Sequence, residues 1–412
     1  MKTATVIGGG FIGAACAWQL QRAGFAVTLI DSGDAERAAS WGNAGHLAIE
    51  QIDPLASRAN LCSLPRRLFS FGGSVGLPLR DMAAWLPFGL KLIAASSPER
   101  FERGRVALSA MLAQAMPAWH RLATSTGTAQ HLHEGGHFVA WETRATADRG
   151  KRHWLEANVG TARVEAASNA EISQLRAAFN QRPVDAVAFH GTGQILDLGK
   201  ARIGITEALR VAGGTVQLAS AQAITIANGR ASVRLSDGTS LTPDVLLIAA
   251  GAGSADLLRT TEGPVPLIAE RGYHVEAPVA RQHDALPPVA FEDRSVIVTR
   301  FADTLRIAGF TEFSRVASPP DARKWQALSR HATDLGLPFS QGTTRWIGAR
   351  PTLPDYLPAI GRSRAAANLL YAFGHQHLGV TLAAITGEWV ASLATDAAQS
   401  IDLTPFDLTR FQ

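Results

Sequence analysis

Cysteine is almost missing from this chain of 412 residues, which carries only Cys16 and Cys62. A disulfide framework is therefore excluded, and such usage fits a reducing compartment. Lysine is scarce too, at five positions, and tyrosine at three. The balance of 39 basic and 35 acidic side chains leaves a net charge of +4. No Lys/Arg-rich run with interleaved aromatics occurs, so nucleic acid is excluded as a partner. No stretch approaches the roughly eighteen consecutive apolar residues of a membrane span. The first apolar run is broken at Gly8-Gly9-Gly10, with no basic region and small-residue cleavage site around it, which speaks against an export signal. The expectation is a cytoplasmic protein. Charged residues make up only 18% and hydrophobic ones 46%. With a length that allows roughly two to three domains, this composition excludes disordered and fibrous classes and leaves a globular protein with a large core.

The opening thirty residues are the most informative. Thr3 to Ile7 is a short β-branched apolar run, Gly8-Gly9-Gly10-Phe11-Ile12-Gly13 follows, and a helical pattern then continues through Arg22 to Gly24. A second apolar strand, Phe25 to Ile30, ends in Asp31. This is G-x-G-x-x-G between a strand and a helix, with an acid at the end of the next strand. In that setting Gly8 permits the tight turn, Gly10 lets the backbone approach a pyrophosphate, and Gly13 lets the helix pack closely. The free N–H groups and dipole of the helix start favour the anion, and Asp31 accepts from a ribose diol. A purely structural glycine turn is the alternative. NAD and FAD share the ADP half that the turn reads, so either dinucleotide fits.

Further along, residues 38 to 47 form a small-residue loop. Residues 61 to 95 are apolar but punctuated by Pro65, Pro78 and Pro87, which suits a packed loop or short helices. A long helix is predicted from Ser97, its N-cap, with Pro98 in the first turn and a stripe running from Leu108 through Trp119 to Leu122. Another helix is predicted over 199–213, and short strands over 215–235 with a turn at Asn228-Gly229. Val245 to Ile248 is fully apolar and enters a glycine turn, as does a central strand covered on both faces. Alternating patterns between about 265 and 345 predict an antiparallel sheet. The end of the chain returns to a glycine loop, Gly374 to Thr381, and an apolar helix. His131, His133 and His137 look like a ligand set but lack a cysteine or carboxylate set, and Gly135-Gly136 suggests a hairpin, so no metal site is expected.

In this order the pieces resemble the D-amino-acid oxidase superfamily of flavoproteins, nearest to its bacterial D-amino-acid dehydrogenase branch, over essentially the full length. The resemblance rests on Gly8 to Gly13, Asp31, the Ser-x-x-Asn-Ala-Gly loop at Ser40 to Gly45, and the Ala-Ala-Gly turn at 249 to 251. It continues through Arg271-Gly272-Tyr273, Trp346 to Pro351 with Pro354-Asp355, Ile360-Gly361, and Gly374 to Thr381. It implies a mixed α/β fold in which a Rossmann-like FAD-binding domain (1–75, 195–262 and 346–412) is interleaved with an antiparallel-sheet substrate domain (76–194 and 263–345). It implies FAD as cofactor, held non-covalently, since relatives that attach flavin do so through a late cysteine and neither cysteine here is late.

Carried over residue by residue, the resemblance gives the ADP half to Gly8, Gly10, Phe11, Ile12 and Gly13, with Asp31 and Ser32 at the next strand end. The loop carrying Ser40, Asn43, Ala44, Gly45, His46 and Leu47 passes over the pyrophosphate and flavin edge. Ala223 supplies main-chain contact to adenine, and Ala250 and Gly251 lie near the pyrophosphate. Gly348, with Leu378, Gly379, Val380 and Thr381 at the last helix start, meets the flavin, where the helix dipole favours the anionic reduced ring.

The implied activity is oxidative deamination of a D-amino acid, with a D-proline or hydroxyproline type among the candidates, by hydride transfer from Cα to flavin N5. Glycine, sarcosine or proline oxidation, and a flavin-binding subunit of an electron-transfer complex, are the alternatives. Arg350 is the expected fork for the substrate carboxylate, Tyr273 a second donor to it, and His377 or His46 a group that orders water or aids amine deprotonation. The expected partners are the amino acid and an electron acceptor, a quinone, respiratory carrier or O2. Residues 61 to 95, with Arg66, Arg67, Arg80 and Lys91, either bury against the substrate domain or touch the cytoplasmic face of a membrane.

Overall fold

The computed structural model describes residues 1–34, 38–279, 286–339 and 342–411. Strand β1 (Thr3–Ile7), helix α1 (Phe11–Arg22) and strand β2 (Ala26–Asp31) form where the strand, glycine turn and helix are expected. They open a six-stranded sheet in the order Thr215–Leu218, β2, β1, Val245–Ile248, Leu369–Phe373 and Ala359–Arg362. All neighbours are parallel except the last pair. Successive side chains of β1 and Val245–Ile248 point to opposite faces, and both faces are dry. Val6 and Leu247 join the core under the helices, while Ile7, Leu246 and Ile248 join a second core on the other side. On the helical face α1 crosses the last helix, Gly379–Ala394, so closely that a Cβ on Gly387 would stand 2.8 Å from the Ala15 carbonyl oxygen.

A second sheet of nine strands lies across the first, built mainly of antiparallel neighbours from Ile268–Pro278, Thr304–Ser314, Val296–Arg300 and Thr344–Thr352. The helices Asn169–Ala178 and Ala322–Asp334 cover its outer face through Leu175, Ala178, Ala327 and Leu328. Strand Thr344–Thr352 pairs along its length with Ile268–Pro278, so a domain boundary at 345/346 cuts through a strand of this sheet.

Two local expectations change. The helix begun at Ser97, whose hydroxyl accepts from the Arg100 N–H, ends at Leu112, and a second helix runs over Ala115–Thr126. Pro117 explains the break: it has no N–H to offer the Ala113 carbonyl, and its ring would clash there. The stripe itself stays buried across the break. At Gly135-Gly136 the flanking strands do not pair; Leu132–His133 joins Gly193–Ile195, whereas His137–Trp141 joins the large sheet. The 61–95 segment, expected as packed loop or short helices, holds the helices Arg58–Arg67 and Met82–Ala95 joined by short turns and the strand Val75–Gly76, with one wet side. Phe88 packs on Ile268 and Phe313 of the large sheet, while Leu79, Met82, Leu86, Leu90 and Ile93 are exposed. Among the described residues no helix is long and apolar enough to cross a membrane.

Candidate functional site

Between the two sheets lies a cavity of about 930 Å³, near the upper end of the roughly 300–1,000 Å³ range of ligand pockets. One end is the glycine turn. Gly8 has φ +110°, and a Cβ there would meet the Ala249 carbonyl oxygen at 2.4 Å. At Gly9 a Cβ would collide with the Asp31 carboxylate at 2.1 Å, and at Gly13 with the Gly8 carbonyl oxygen at 1.7 Å. At Gly8 and Gly13 the neighbour is backbone, so the turn tolerates only hydrogen there, and α1 starts after its N-cap Gly10 with no side-chain cap of its own. Ser40 lends its hydroxyl from the facing loop, accepting weakly from the Phe11 N–H at 3.4 Å. A helix start left this open, beside glycines that keep side chains away, fits a dinucleotide pyrophosphate. Asp31 and Ser32 line the same end.

Arg202, which sequence reasoning did not find, closes this end. Its Nη1 donates to the Gly9 carbonyl at 3.1 Å and lies 3.5 Å from Asp31 Oδ2. Ala250 and Gly251 line the opposite wall. Ala223 does not reach the cavity; the strand is bulged between Ala221 and Ala223, and Ala221 and Gln222 take its place in the wall.

The loop of residues 40–47 crosses the middle of the cavity. Ser40, Asn43, Ala44 and His46 face the space, whereas Gly45 and Leu47 do not. Gly45 sits at φ +72° against Phe301, and Leu47 is fully buried in the core. The loop is pinned from the large sheet. Arg306, itself paired with Glu276, donates through Nη1 to the carbonyls of Trp41 and Asn43 at 3.3 and 2.5 Å. His274 Nδ1 lies 3.2 Å from the Gly42 carbonyl, and Trp346 stacks on His274 at 5.0 Å between centroids. Burial lowers the His274 pKa well below its usual value, so that ring is neutral and Nδ1 donates.

At the far end Arg350 lines the cavity from strand Thr344–Thr352. Its side chain lies flat over Gly272, where a Cβ would stand 2.5 Å from Nη2. Nη1 is 3.3 Å from Glu270 Oε1, and this is its only hydrogen bond among the described residues. Glu270 is buried and also accepts from Thr352 Oγ1 at 2.9 Å. One guanidinium edge is thus anchored and the rest is open to an anion.

Tyr273 borders the cavity with its ring only. Its hydroxyl is already used: it donates to Glu312 Oε2 at 3.2 Å and accepts from the Asp321 N–H at 3.1 Å. Glu312 is in turn held by Arg271 and Lys324. Burial pushes the phenol up to about 12, so it stays protonated. The expected second donor to a substrate carboxylate is therefore engaged within a buried cluster. Gly348 lies outside the cavity wall under the Trp346 ring, while its neighbour Ala349 lines it.

His377 faces the cavity, with Nε2 at 2.6 Å from Gln51 Oε1. Burial lowers its pKa to about 4, so at neutral pH it is an uncharged ring whose Nδ1 is an acceptor. Gly379 and Val380 border the space at the start of the last helix, where no side chain caps the N–H groups. Leu378 and Thr381 point elsewhere; Leu378 is in the core and Thr381 Oγ1 accepts from the Ala48 N–H at 3.0 Å. Cys16 is buried in α1 and Cys62 is exposed on its helix, and neither borders the cavity.

Comparison with known proteins agrees with this geometry. The family described as FAD dependent oxidoreductase matches residues 3–393. A D-amino-acid oxidase of Bradyrhizobium diazoefficiens is 29% identical, the match covering 98% of each chain. A D-amino acid dehydrogenase 2 of Ralstonia nicotianae is 26% identical over 98% of this chain and 99% of its own. Among solved structures, glycine oxidase from Geobacillus kaustophilus superposes with a TM-score of 0.73 at 21% identity, covering 99% of this chain and 98% of that one.

Proposed function

The chain belongs to the FAD-dependent oxidoreductase family, and on that premise we propose that it oxidises a D-amino acid to its imine, which water converts to a 2-oxo acid and ammonia. FAD, held by the glycine turn and the start of the last helix, would supply the acceptor for hydride from the substrate Cα. Everything else falls to the protein. The observation that carries the reading is Arg350, a guanidinium with one edge fixed on buried Glu270 and the other facing the cavity next to the start of the last helix. A carboxylate gripped there is oriented as well as bound, and orientation of the reacting carbon is the main demand of hydride transfer. The substrate must react as the free amine. Neutral His377, with Nδ1 available, holds a water or the amine itself, and solvent takes the proton. Trp346 and the Tyr273 ring keep bulk water from the other side. The glycine turn and Arg202 hold the ADP half, and uncapped N–H groups at Gly379 and Val380 favour negative charge at the other end.

Electrons then pass to a respiratory quinone. The wet apolar stripe of helix Met82–Ala95, with Leu90 62% and Ile93 58% exposed beside Lys91, supports contact with the cytoplasmic face of a membrane. The deciding experiment is anaerobic mixing of the yellow holoenzyme with paired enantiomers, including both prolines and the hydroxyprolines. The D series is expected to bleach the flavin absorbance. Bleaching by the L series, or faster bleaching by glycine or sarcosine than by any D-amino acid, overturns the assignment.

A further inference from the structure

Behind the loop that crosses the cavity, His46, Glu50 and His137 bring one ligand atom each to within 4.8 Å of one another. All three are buried: Glu50 is 4% exposed and His137 5%. Both imidazoles are turned the same way. His46 directs Nδ1 to the Gly193 carbonyl at 3.3 Å, and His137 directs Nδ1 to Thr192 Oγ1 at 2.9 Å. This leaves Nε2 of each ring facing the Glu50 carboxylate, at 3.3 Å from His46 and 4.0 Å from His137. Nε2 of His46 and Glu50 Oε1 form a hydrogen bond at the shorter distance, and the Gly193 carbonyl holds the other ring nitrogen. Glu50 Oε2 has no hydrogen-bond partner among the described residues. A buried anion in this state requires a cation.

Two donors on one tetrahedral ion with bonds of about 2.0–2.1 Å stand about 3.3 Å apart, a separation the His46–Glu50 pair already has, while His137 Nε2 at 4.0 Å would draw in on an ion. A ring nitrogen bonded to a main-chain carbonyl while the other faces outward is also the arrangement that orients metal-bound histidines. We propose that His46, Glu50 and His137 bind a divalent transition-metal ion of the zinc class. Two imidazole nitrogens and one carboxylate oxygen match the chemistry of zinc sites that keep an open position. The ligands come from the end of the cavity-crossing loop (His46), from the turn just after it (Glu50) and from strand His137–Trp141 of the large sheet. The ion therefore ties the loop to the sheet beneath it and fixes the backbone that carries Asn43 and Ala44 into the cavity.

The test uses flavin-loaded protein stripped with a chelator, then titrated with Zn2+ alone. The expected result is one zinc per chain and a thermal midpoint that rises with zinc. His137→Gln and Glu50→Gln should each weaken binding at least about tenfold. His120→Gln, which alters a half-exposed histidine paired with Glu134, should leave it intact. Equal binding by wild type and His137→Gln, or none by wild type, overturns the proposal. Should those variants fail to fold, X-ray absorption at the zinc edge of the wild-type protein decides. Mixed nitrogen and oxygen ligands at about 2.0–2.1 Å support the site, and a fully aqueous shell overturns it. Flavin bleaching by amino acids is read separately, so the fate of this site and that of the catalytic reading stay distinct.

Discussion

The two ends of the cavity are built by opposite means. At the β1–α1 end the wall is mostly main chain: Gly8, Gly9 and Gly13 all stand where a Cβ would overlap a neighbour. At the Arg350 end recognition rests on side chains fixed by other side chains, Arg350 on Glu270 and Glu270 on Thr352. The first kind of wall has a local nucleus, the glycine turn and Asp31, completed from afar by Arg202 and the turn at 249 to 251. The second is assembled across the sheet, Arg350 and Glu270 being 80 positions apart. A local site fails all at once when one atom is added. An assembled site loses affinity in parts.

Gly13→Ala should have the largest effect. The added methyl would stand 1.7 Å from the Gly8 carbonyl oxygen, backbone that cannot move without opening the turn. Bound flavin, read from visible absorbance per chain, is expected to fall by more than about tenfold. Retention of full colour would show that the turn does not carry the cofactor. Arg350→Leu should instead keep the colour and raise KM for the amino acid on the order of 100-fold, with a smaller change in kcat. An unchanged KM would remove Arg350 from the substrate site. The smallest effect is expected from Tyr273→Phe. It leaves the Asp321 N–H without its acceptor and takes one of two donors from Glu312 Oε2, where Lys324 remains, and should cost about 1–3 kcal/mol of stability, seen as a lower thermal midpoint. Its kcat/KM should change less than about twofold; a large loss of kcat/KM would return the phenol to the substrate.

The same contrast explains what could be read in the sequence. The glycine turn, the strand at Val245–Ile248 and the last helix announce themselves because their chemistry is contiguous: spacing of glycines, runs of apolar residues, an acid at a strand end. The loop of residues 40–47 was legible as a position but not in detail. Which of its members face the cavity depends on Arg306 and His274, more than 230 residues away. Arg202 gave no signal, since its partner Gly9 lies 193 positions earlier and nothing in helix Leu198–Val211 distinguishes it from the other arginines. Ala223 was displaced by a bulge, a register effect that alternation alone does not reveal. Tyr273 was correctly near the cavity, yet the direction of its hydroxyl is set by Glu312 and Asp321, which meet it only in three dimensions. His137 shows the same limit. Its sequence neighbours His131 and His133 drew attention to it, but its companions are His46 and Glu50.

Strand Thr344–Thr352 begins as an edge of the large sheet and ends in a bridge from Thr352 to His375, just before the last helix. The backbone that carries the guanidinium is therefore stitched at one end to the roof and at the other to the floor. A clamshell hinge between the two layers would have to tear that seam. The seam couples any shift of the Arg350 backbone to both layers at once, so a change that breaks the bridge between Thr352 and His375 is felt by the guanidinium and by the start of the last helix together.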